Sequence, residues 1–174
     1  MNNILSPLAG NSPGYVPANV PLPADVPAVT LVDLNEVVTA ELTAYRETVQ
    51  ALQAIIRFDP LPHTNCTQPL TAQVFHHILH SIIQHPPEGT KLFIYIKCEK
   101  ERSEIMDLSL TNGFQRYEIS VFTNINANES WQQQQQATTT DIRQSIESSN
   151  GTFESFAIDK TGCLYKLVLP AKFL

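Results

Sequence analysis

The chain changes its hydrophobic period at Pro86-Pro87, and this change constrains its fold more than any other feature of the sequence. Residues 67–84, before the two prolines, repeat apolar side chains at the spacing of a helix. After the prolines, KLFIYIKCEK places Leu92 and its isoleucines on one face of a strand. A helix that stops at a proline pair and leads into an amphipathic strand predicts a domain in which a helix packs on a sheet.

The other segments are assigned in the same way. A short strand at 29–32 leads to Asp33, a good helix N-cap with Glu36 three residues later, and the helical pattern that follows continues to Val49. Further strands are predicted at QAIIRFDPLP and at residues 104–110, 117–122, 152–158 and 164–169, and a third helix at about 138–149, ended by Asn150-Gly151. The polar segment 124–137, with five consecutive glutamines, is predicted to be a mobile loop.

This order of elements predicts an α/β (α+β) fold. In this two-layer sandwich, three helices cover one face of a mixed, mainly antiparallel sheet. Residues 1–28 hold six of the twelve prolines. Each proline ring fixes φ and removes a backbone donor, so this stretch is expected to be a tail or linker. The domain is expected at residues 29–174, with its Gln-rich loop at about 124–137.

Charge and cysteine content exclude several classes of function. The chain carries 11 Lys and Arg against 17 Asp and Glu, and no basic cluster is available to neutralise phosphates, so nucleic-acid binding is disfavoured. Its three cysteines form no CxxC pair, which argues against a zinc site or a disulfide framework. No apolar run approaches the ~18 residues of a membrane span and no secretory signal is visible, so a cytoplasmic protein is expected.

Three histidines, His76, His77 and His80, fall within five residues of the second predicted helix. His76 and His80 form an i, i+4 pair on one helix face, a spacing that can ligate a metal ion. The pair would need a third ligand, for which the candidates are His63, His85 and Asp107. No spacing demands any of them, so no metal site is predicted.

Two long stretches resemble one protein family. The first runs from VDLNEVVTAEL through LQAIIRFDPLPHTNCTQPLTAQVFHHILHSIIQHPPEGTKLFIYIK. It resembles the catalytic ATP-binding (GHKL) domain of bacterial sensor histidine kinases, where a VDLNE helix and a strand precede QVLxNLLxNAIKYSPEGTKIxIxI. The second, IRQSIESSNGTFESFAIDKTGCLYKLVLP, resembles that family's IVKxIVExHGGTIxVxSxxGxGTxFxFxLP. The resemblance covers about residues 29–170 and implies the histidine-kinase-type ATPase fold.

The resemblance also implies a nucleotide pocket with degenerate motifs. Ser81 stands where the family has an Asn that helps hold Mg²⁺, and a hydroxyl is a poor substitute for an amide oxygen on that cation. The family's Asp-x-Gly-x-Gly turn corresponds either to 111–115 or, preferably, to 123–127, and both place Thr at the Asp position. The glycine-rich lid corresponds to about 136–140, QATTT, which contains no glycine.

What the resemblance implies is therefore a vestigial pocket. Its expected lining is His77, His80, Ser81, Thr123, Asn124, Thr138, Thr139 and Thr140. The imidazoles are expected to fill the space that ATP occupies in the family. Losing a charge-assisted hydrogen bond costs roughly 1.5–3 kcal/mol of binding free energy. If the contacts to adenine, to Mg²⁺ and from the lid are each lost at a similar cost, the total is about 4–8 kcal/mol, which lowers the affinity for ATP by roughly three to six orders of magnitude. No catalytic residue, ATP or Mg²⁺ is expected.

The implied function is that of a non-catalytic pseudokinase in two-component signal transduction. Such a module would bind a protein partner such as a histidine kinase, a phosphotransferase or a response regulator. Formation of a homodimer is a further possibility. No histidine is followed by Asp or Glu, so a phosphoacceptor histidine is not expected. Trp131 would anchor the partner if it is exposed; alternatively, it folds back onto the sheet or a helix.

Two other functions remain open at this point. The chain could be an active ATP-binding domain of a sensor histidine kinase with an unusual pocket, which requires saturable ATP binding that depends on Mg²⁺. It could also sense another small ligand in a remodelled pocket around His77, Ser81 and Thr123.

Overall fold

The computed structural model describes residues 30–101, 114–158 and 162–174. Within these residues the chain forms a seven-stranded sheet and four helices. The strands are β1 (Val32–Asp33), β2 (Ile55–Phe58), β3 (His63–Thr64), β4 (Phe93–Lys100), β5 (Gln115–Thr123), β6 (Thr152–Ala157) and β7 (Cys163–Lys172). The helices are α1 (Leu34–Ala44), α2 (Arg46–Ala51), α3 (Gln68–Gln84) and α4 (Glu129–Glu147).

β7 is the centre of the sheet, because it pairs with three other strands. β5 runs antiparallel along one side of β7, and β6 and β3 share the other side, also antiparallel. β4 lies beyond β5, followed by β2, which pairs with β4 in the only parallel ladder among the described strands. The sheet is therefore mixed and mainly antiparallel, which confirms the predicted fold class.

One face of the sheet and the helices enclose the core. Because strand side chains alternate between the two faces of a sheet, Ile94, Ile119 and Leu167 all point towards the helices and are at most 1% exposed. Three helices contribute buried residues to the same cluster: Leu34, Val37 and Val38 from α1; Val74, Phe75, Ile78, Leu79 and Ile82 from α3; and Trp131, Ile142 and Ile146 from α4.

α1 begins where Asp33 caps it, as predicted. The Asp33 carboxylate accepts a 2.8 Å hydrogen bond from the backbone N–H of Asn35, which satisfies one of the free donors at the helix start. The Asn35 side chain donates to the Leu61 carbonyl at 2.7 Å and accepts from the Leu61 N–H at 2.9 Å. These bonds fasten the start of α1 to the loop after β2. The helix predicted to reach Val49 is divided at Tyr45, after which α2 follows.

The prediction of a loop at 124–137 is wrong from Glu129 onward, because the glutamine run belongs to α4. Asn128 caps this helix, and its side chain accepts a 3.0 Å hydrogen bond from the backbone N–H of Trp131. Glutamine is a good helix former. The third helix therefore begins about nine residues earlier than the predicted position 138.

The buried face of α4 explains why the sequence pattern did not predict the first half of this helix. Its buried side chains follow a helical spacing and are Trp131, Gln135, Thr139, Ile142 and Ile146. Two of the five are polar, so no apolar period is visible across the glutamines. Asn150 follows the helix with a left-handed φ of 58°, as expected for the predicted stop. No helix in the described ranges is both long and apolar enough to cross a bilayer.

Several predicted segments lie outside the described residues. They are the tail at 1–28, the strand at 104–110 and the 111–113 part of the first candidate for the adenine-binding turn. By contrast, β3 is a strand that the sequence did not predict, and it joins β1 to β7.

The face of the sheet opposite the helices exposes apolar side chains. Tyr95, Phe122 and Phe156 belong to one row of paired residues that crosses β4, β5, β7 and β6. Phe156 is 44% exposed, and in the neighbouring row Ile55 and Phe93 are 45% and 37% exposed. Contiguous exposed apolar side chains on a domain surface commonly mark contacts with another protein.

Gly151 packs the end of α4 tightly against β7. A Cβ at this position would lie 2.5 Å from the Val168 carbonyl oxygen and 2.8 Å from the Cγ2 of Ile146. We expect Gly151→Ala to lower the free energy of unfolding by about 1–3 kcal/mol, measured by urea denaturation. Asn150→Gly is the control and should change it by less than about 1 kcal/mol, because glycine accepts a left-handed φ. Wild-type stability of Gly151→Ala would contradict this packing.

Candidate functional site

Ser81, the residue at the predicted Mg²⁺ position, lies at the centre of a buried hydrogen-bonded cluster. Its Oγ accepts the side-chain N–H of Gln135 at 2.7 Å and the hydroxyl of Tyr165 at 2.9 Å. The indole N–H of Trp131 is shared between the Ser81 Oγ, at 3.1 Å, and the Tyr165 hydroxyl oxygen, at 3.2 Å. All four side chains are at most 4% exposed. Both lone pairs of Ser81 are thus engaged within the protein.

Three elements bring this Ser81 cluster together. Ser81 is on the inner face of α3, and Tyr165 points inward from β7. Trp131 and Gln135 are four residues apart on α4 and therefore share one helix face. The Trp131 ring meets Tyr165 edge to face with 6.2 Å between centroids, and Tyr165 stacks on Phe153 at 6.5 Å. The space between α3, α4 and the sheet is consequently filled by aromatic rings.

His77 lies beside the cluster with its ring edge-on to Phe153, 6.2 Å between centroids. Its Nε2 is buried without a hydrogen-bond partner among the described residues, as are the Oγ1 of Thr123 and the Oε1 of Gln135. Burial lowers the pKa of His77, and the neighbouring Gln135 side chain opposes this shift. His77 is therefore a neutral imidazole at neutral pH.

The titratable groups around the cluster are not prepared for catalysis. Burial raises the pKa of Tyr165 far above its ordinary value and the pKa of Cys163 to about 12. Both groups stay protonated at neutral pH, so neither is an activated base or nucleophile. The four side chains of the Ser81 cluster carry no charge, and they therefore cannot neutralise a triphosphate.

Two residues predicted to line the pocket point elsewhere. The Nδ1 of His80 is 3.3 Å from the hydroxyl of Tyr45, which follows the end of α1, because residues adjacent on a helix diverge and His80 precedes the inward-facing Ser81. Thr140 is exposed on α4 and lines an outer cleft. The assignment of these two side chains to the pocket is corrected accordingly.

The remaining predicted pocket residues have structural contacts. Asn124 accepts the backbone N–H of Phe93 at 2.7 Å and donates to the Lys91 carbonyl at 2.9 Å, which holds the chain after β5 against the start of β4. The buried hydroxyl of Thr139 donates to the backbone carbonyl of Gln135 within α4. The side chain of Thr138 lies outside the described part of the structure.

Trp131 is not a surface anchor. Its side chain is 2% exposed, and its N–H is bonded to the hydroxyls of Ser81 and Tyr165. A buried indole N–H needs such a partner. Of the two arrangements that the sequence allowed, Trp131 adopts the one in which it folds back into the domain.

The lid region also offers no phosphate cradle. Residues 136–140, which the resemblance aligns with the glycine-rich lid, lie inside α4. Their backbone N–H groups bond within the helix, whereas a phosphate site needs N–H groups that are free at a helix start. At the actual start of α4, the Asn128 side chain accepts a hydrogen bond from the backbone N–H of Trp131, one of the donors that a phosphate would need. Glu129 adds a negative charge in the first turn, which repels a phosphate.

Two clefts lie away from the centre of the cluster. A cleft of about 850 Å³ runs between α1, β1 and the start of α3. Another, of about 490 Å³, lies between α4 and β6 and is lined by Arg143, Thr140 and Phe156 together with Trp131 and Gln135. Neither is lined by Ser81 or Thr123, whereas the second is lined by Thr139 and Thr140, two other residues of the predicted pocket.

The sequence analysis missed two members of the cluster, Gln135 and Tyr165. Gln135 was concealed in the glutamine run, although its spacing from Trp131 is that of one helix face. Tyr165 alternates with Cys163 and Leu167 on the inward side of β7, and this period-two pattern could have identified it as buried.

The comparison with known proteins concerns the fold. No protein-family model matches the sequence, and no curated protein matches it either. Among solved structures, the nucleotide-free catalytic domain of the histidine kinase ThkA superposes with a TM-score of 0.60 at 14% identity, covering 82% of this chain and 95% of that chain. The mycobacterial sensor histidine kinase MprB gives a TM-score of 0.61 at 11% identity, covering 83% of this chain and 100% of that chain.

A third similar structure includes a partner. It is ThkA in complex with the response regulator protein TrrA, with a TM-score of 0.57 at 15% identity, covering 82% of this chain and 42% of that chain. Identities at this level establish the architecture alone. The chain has the mixed α+β fold of histidine kinase catalytic domains.

Removal of the central hydroxyl should destabilise the domain. Ser81→Ala leaves buried donors of Gln135 and Tyr165 without their acceptor, so we expect the free energy of unfolding to fall by about 1–3 kcal/mol. Ser145→Ala is the matched control, because the Ser145 hydroxyl is exposed on α4, and its effect should stay within about 0.5 kcal/mol. Equal urea midpoints for the two variants would contradict a structural role for the cluster.

Acid should weaken the fold through His77. The folded-state pKa of His77 lies below its ordinary value, so the unfolded chain takes up the proton more readily and stability falls as the pH drops below about 6.5. His77→Gln cannot take up this proton. Between about pH 7.5 and about pH 5.5, its unfolding free energy should fall less than that of the wild type. An identical pH dependence would show that His77 is not buried.

Proposed function

We propose that this chain is a non-catalytic signalling module of two-component type, in which a histidine-kinase-like ATPase domain no longer binds nucleotide and acts through contacts with other proteins. The observation that supports it most directly is the occupation of the Ser81 hydroxyl by Gln135, Trp131 and Tyr165. The position that would hold Mg²⁺ is engaged by the protein's own side chains.

A nucleotide would have to displace Trp131 to reach this position. Deleting a buried tryptophan from a core typically costs about 3–5 kcal/mol, which gives the scale of the penalty for expelling it. Expulsion of the ring would also remove the indole donor from the hydroxyl oxygen of Tyr165 and one of the three donors from that of Ser81. An ATP molecule must offset these losses before it gains any affinity.

The chain also lacks the groups that bind adenine and phosphates in the family, so new contacts with ATP would not offset this cost. Thr123 stands at the preferred position of the adenine-binding Asp, and a hydroxyl is uncharged where the family has a carboxylate. The backbone N–H groups of residues 136–140 form hydrogen bonds within α4 and are not free to bind phosphate. The loss at adenine and the loss at the phosphates therefore add to the cost of displacing Trp131.

The proposed partner is a protein of the same signalling class: a histidine kinase, a phosphotransferase or a response regulator. A histidine kinase with a similar fold has been solved with a response regulator, which supports this class. The exposed apolar side chains on the sheet face opposite the helices, such as Phe156 and Phe93, support a protein contact more than buried Trp131 does. The net charge of −6 disfavours nucleic acid as the partner.

Calorimetric titration with ATP and with ADP, each with and without Mg²⁺, tests the proposal. We expect no saturating heat even at millimolar nucleotide, while an active histidine kinase catalytic domain in the same buffer gives a normal isotherm. Saturable binding in the micromolar range that requires Mg²⁺ would contradict the proposal and favour an active ATP-binding domain. Saturation by a different small molecule would instead favour a ligand sensor.

A further inference from the structure

The histidine motif on α3 is only partly used by the Ser81 cluster. His77 faces that cluster, but His76 and His80 point to α1, where they meet Glu41 and Tyr45. We propose that His76 and His80, oriented by Glu41, bind a divalent transition-metal ion such as Zn²⁺ or Ni²⁺ between α1 and α3. This inference does not depend on whether the domain binds nucleotide.

The two imidazoles are neighbours on one face of α3. They are four residues apart on α3, and their ring centroids are 5.8 Å apart with 9° between the ring planes. Histidines at i and i+4 on one helix face are a recurrent donor pair for zinc, with Zn–N distances of about 2.0–2.1 Å. The side chain of His76 is 58% exposed, so an ion can reach it from solvent.

Glu41 prepares His76 for a metal ion. Its Oε2 lies 3.2 Å from the Nδ1 of His76. A carboxylate that accepts the Nδ1–H leaves the lone pair on Nε2 and fixes the orientation of the ring, which is the usual arrangement around metal-bound histidine. The same carboxylate pairs with no lysine or arginine among the described residues.

Tyr45 holds the two rings only weakly. Its hydroxyl is 3.3 Å from the Nδ1 of His80 and 3.4 Å from each ring nitrogen of His76. These contacts are longer than a normal hydrogen bond to a ring nitrogen. The two rings can therefore rotate towards an ion without losing a strong interaction with Tyr45.

The site is a two-histidine site completed on binding. In the described ranges, no three His, Cys, Asp or Glu side chains already surround one position. Two imidazoles would coordinate the ion first, and water would fill the other positions. Imidazole donors favour zinc, nickel and copper over magnesium and calcium. Both ligands belong to α3, and Glu41 of α1 orients one of them, His76, through its Nδ1.

The test is a calorimetric titration of the full, untagged chain with ZnCl₂ and with NiCl₂, and MgCl₂ serves as the negative control. We expect one transition-metal ion to bind per chain and to raise the melting temperature. His76→Gln and His80→Gln should lose saturable binding. Glu41→Gln should bind about 10–100-fold more weakly, as for the loss of a carboxylate that orients a metal-bound histidine.

His63→Gln is the matched control. His63 also faces a carboxylate, with its Nε2 3.7 Å from the Oδ2 of Asp33. Because His63 is not a proposed ligand, the His63→Gln variant should bind the metal ion as tightly as the wild type. Circular dichroism confirms that each variant is folded. The proposal is overturned if the wild type binds neither metal saturably, if both His76→Gln and His80→Gln bind as tightly as the wild type, or if His63→Gln weakens binding as much as they do.

Discussion

The hydrogen bonds that meet at the Ser81 hydroxyl join the three elements that would otherwise border an open pocket. Trp131 and Gln135 bring α4 to this hydroxyl, and Tyr165 brings β7. Inside a protein such bonds are strong because water does not compete, and any member left unpaired costs free energy. This buried polar cluster therefore helps to fix α4 against α3 and β7, together with the apolar contacts of Ile142 and Ile146.

The fold of this chain can be stable without a bound nucleotide. The sheet, the capped α1 and the apolar face of α3 need no ligand to be stable, because their burial is provided by the core. At the position that the resemblance assigns to the nucleotide, this chain has the continuous α4 and the buried rings of Trp131 and Tyr165. A shared fold does not by itself establish a shared activity.

The sequence predicted the elements whose signals are local. Asp33 caps α1, and the proline pair after α3 ends a helix whose apolar stripe is visible without any tertiary information. It predicted only the second half of α4, because the buried positions of the first half include Gln135. It identified Ser81 as a site position but not its partners, since Tyr165 is 84 residues away and only the register of the sheet brings it there.

Trp131 is the only tryptophan in the chain, so its fluorescence reports directly on whether the pocket is filled. The decisive measurement is the emission spectrum and acrylamide quenching of the native protein, with and without millimolar Mg²⁺-ATP. We expect a blue-shifted emission that acrylamide quenches poorly and that nucleotide leaves unchanged. Red-shifted, readily quenched emission, or a spectrum that shifts on addition of Mg²⁺-ATP, would contradict it and show an open, responsive site.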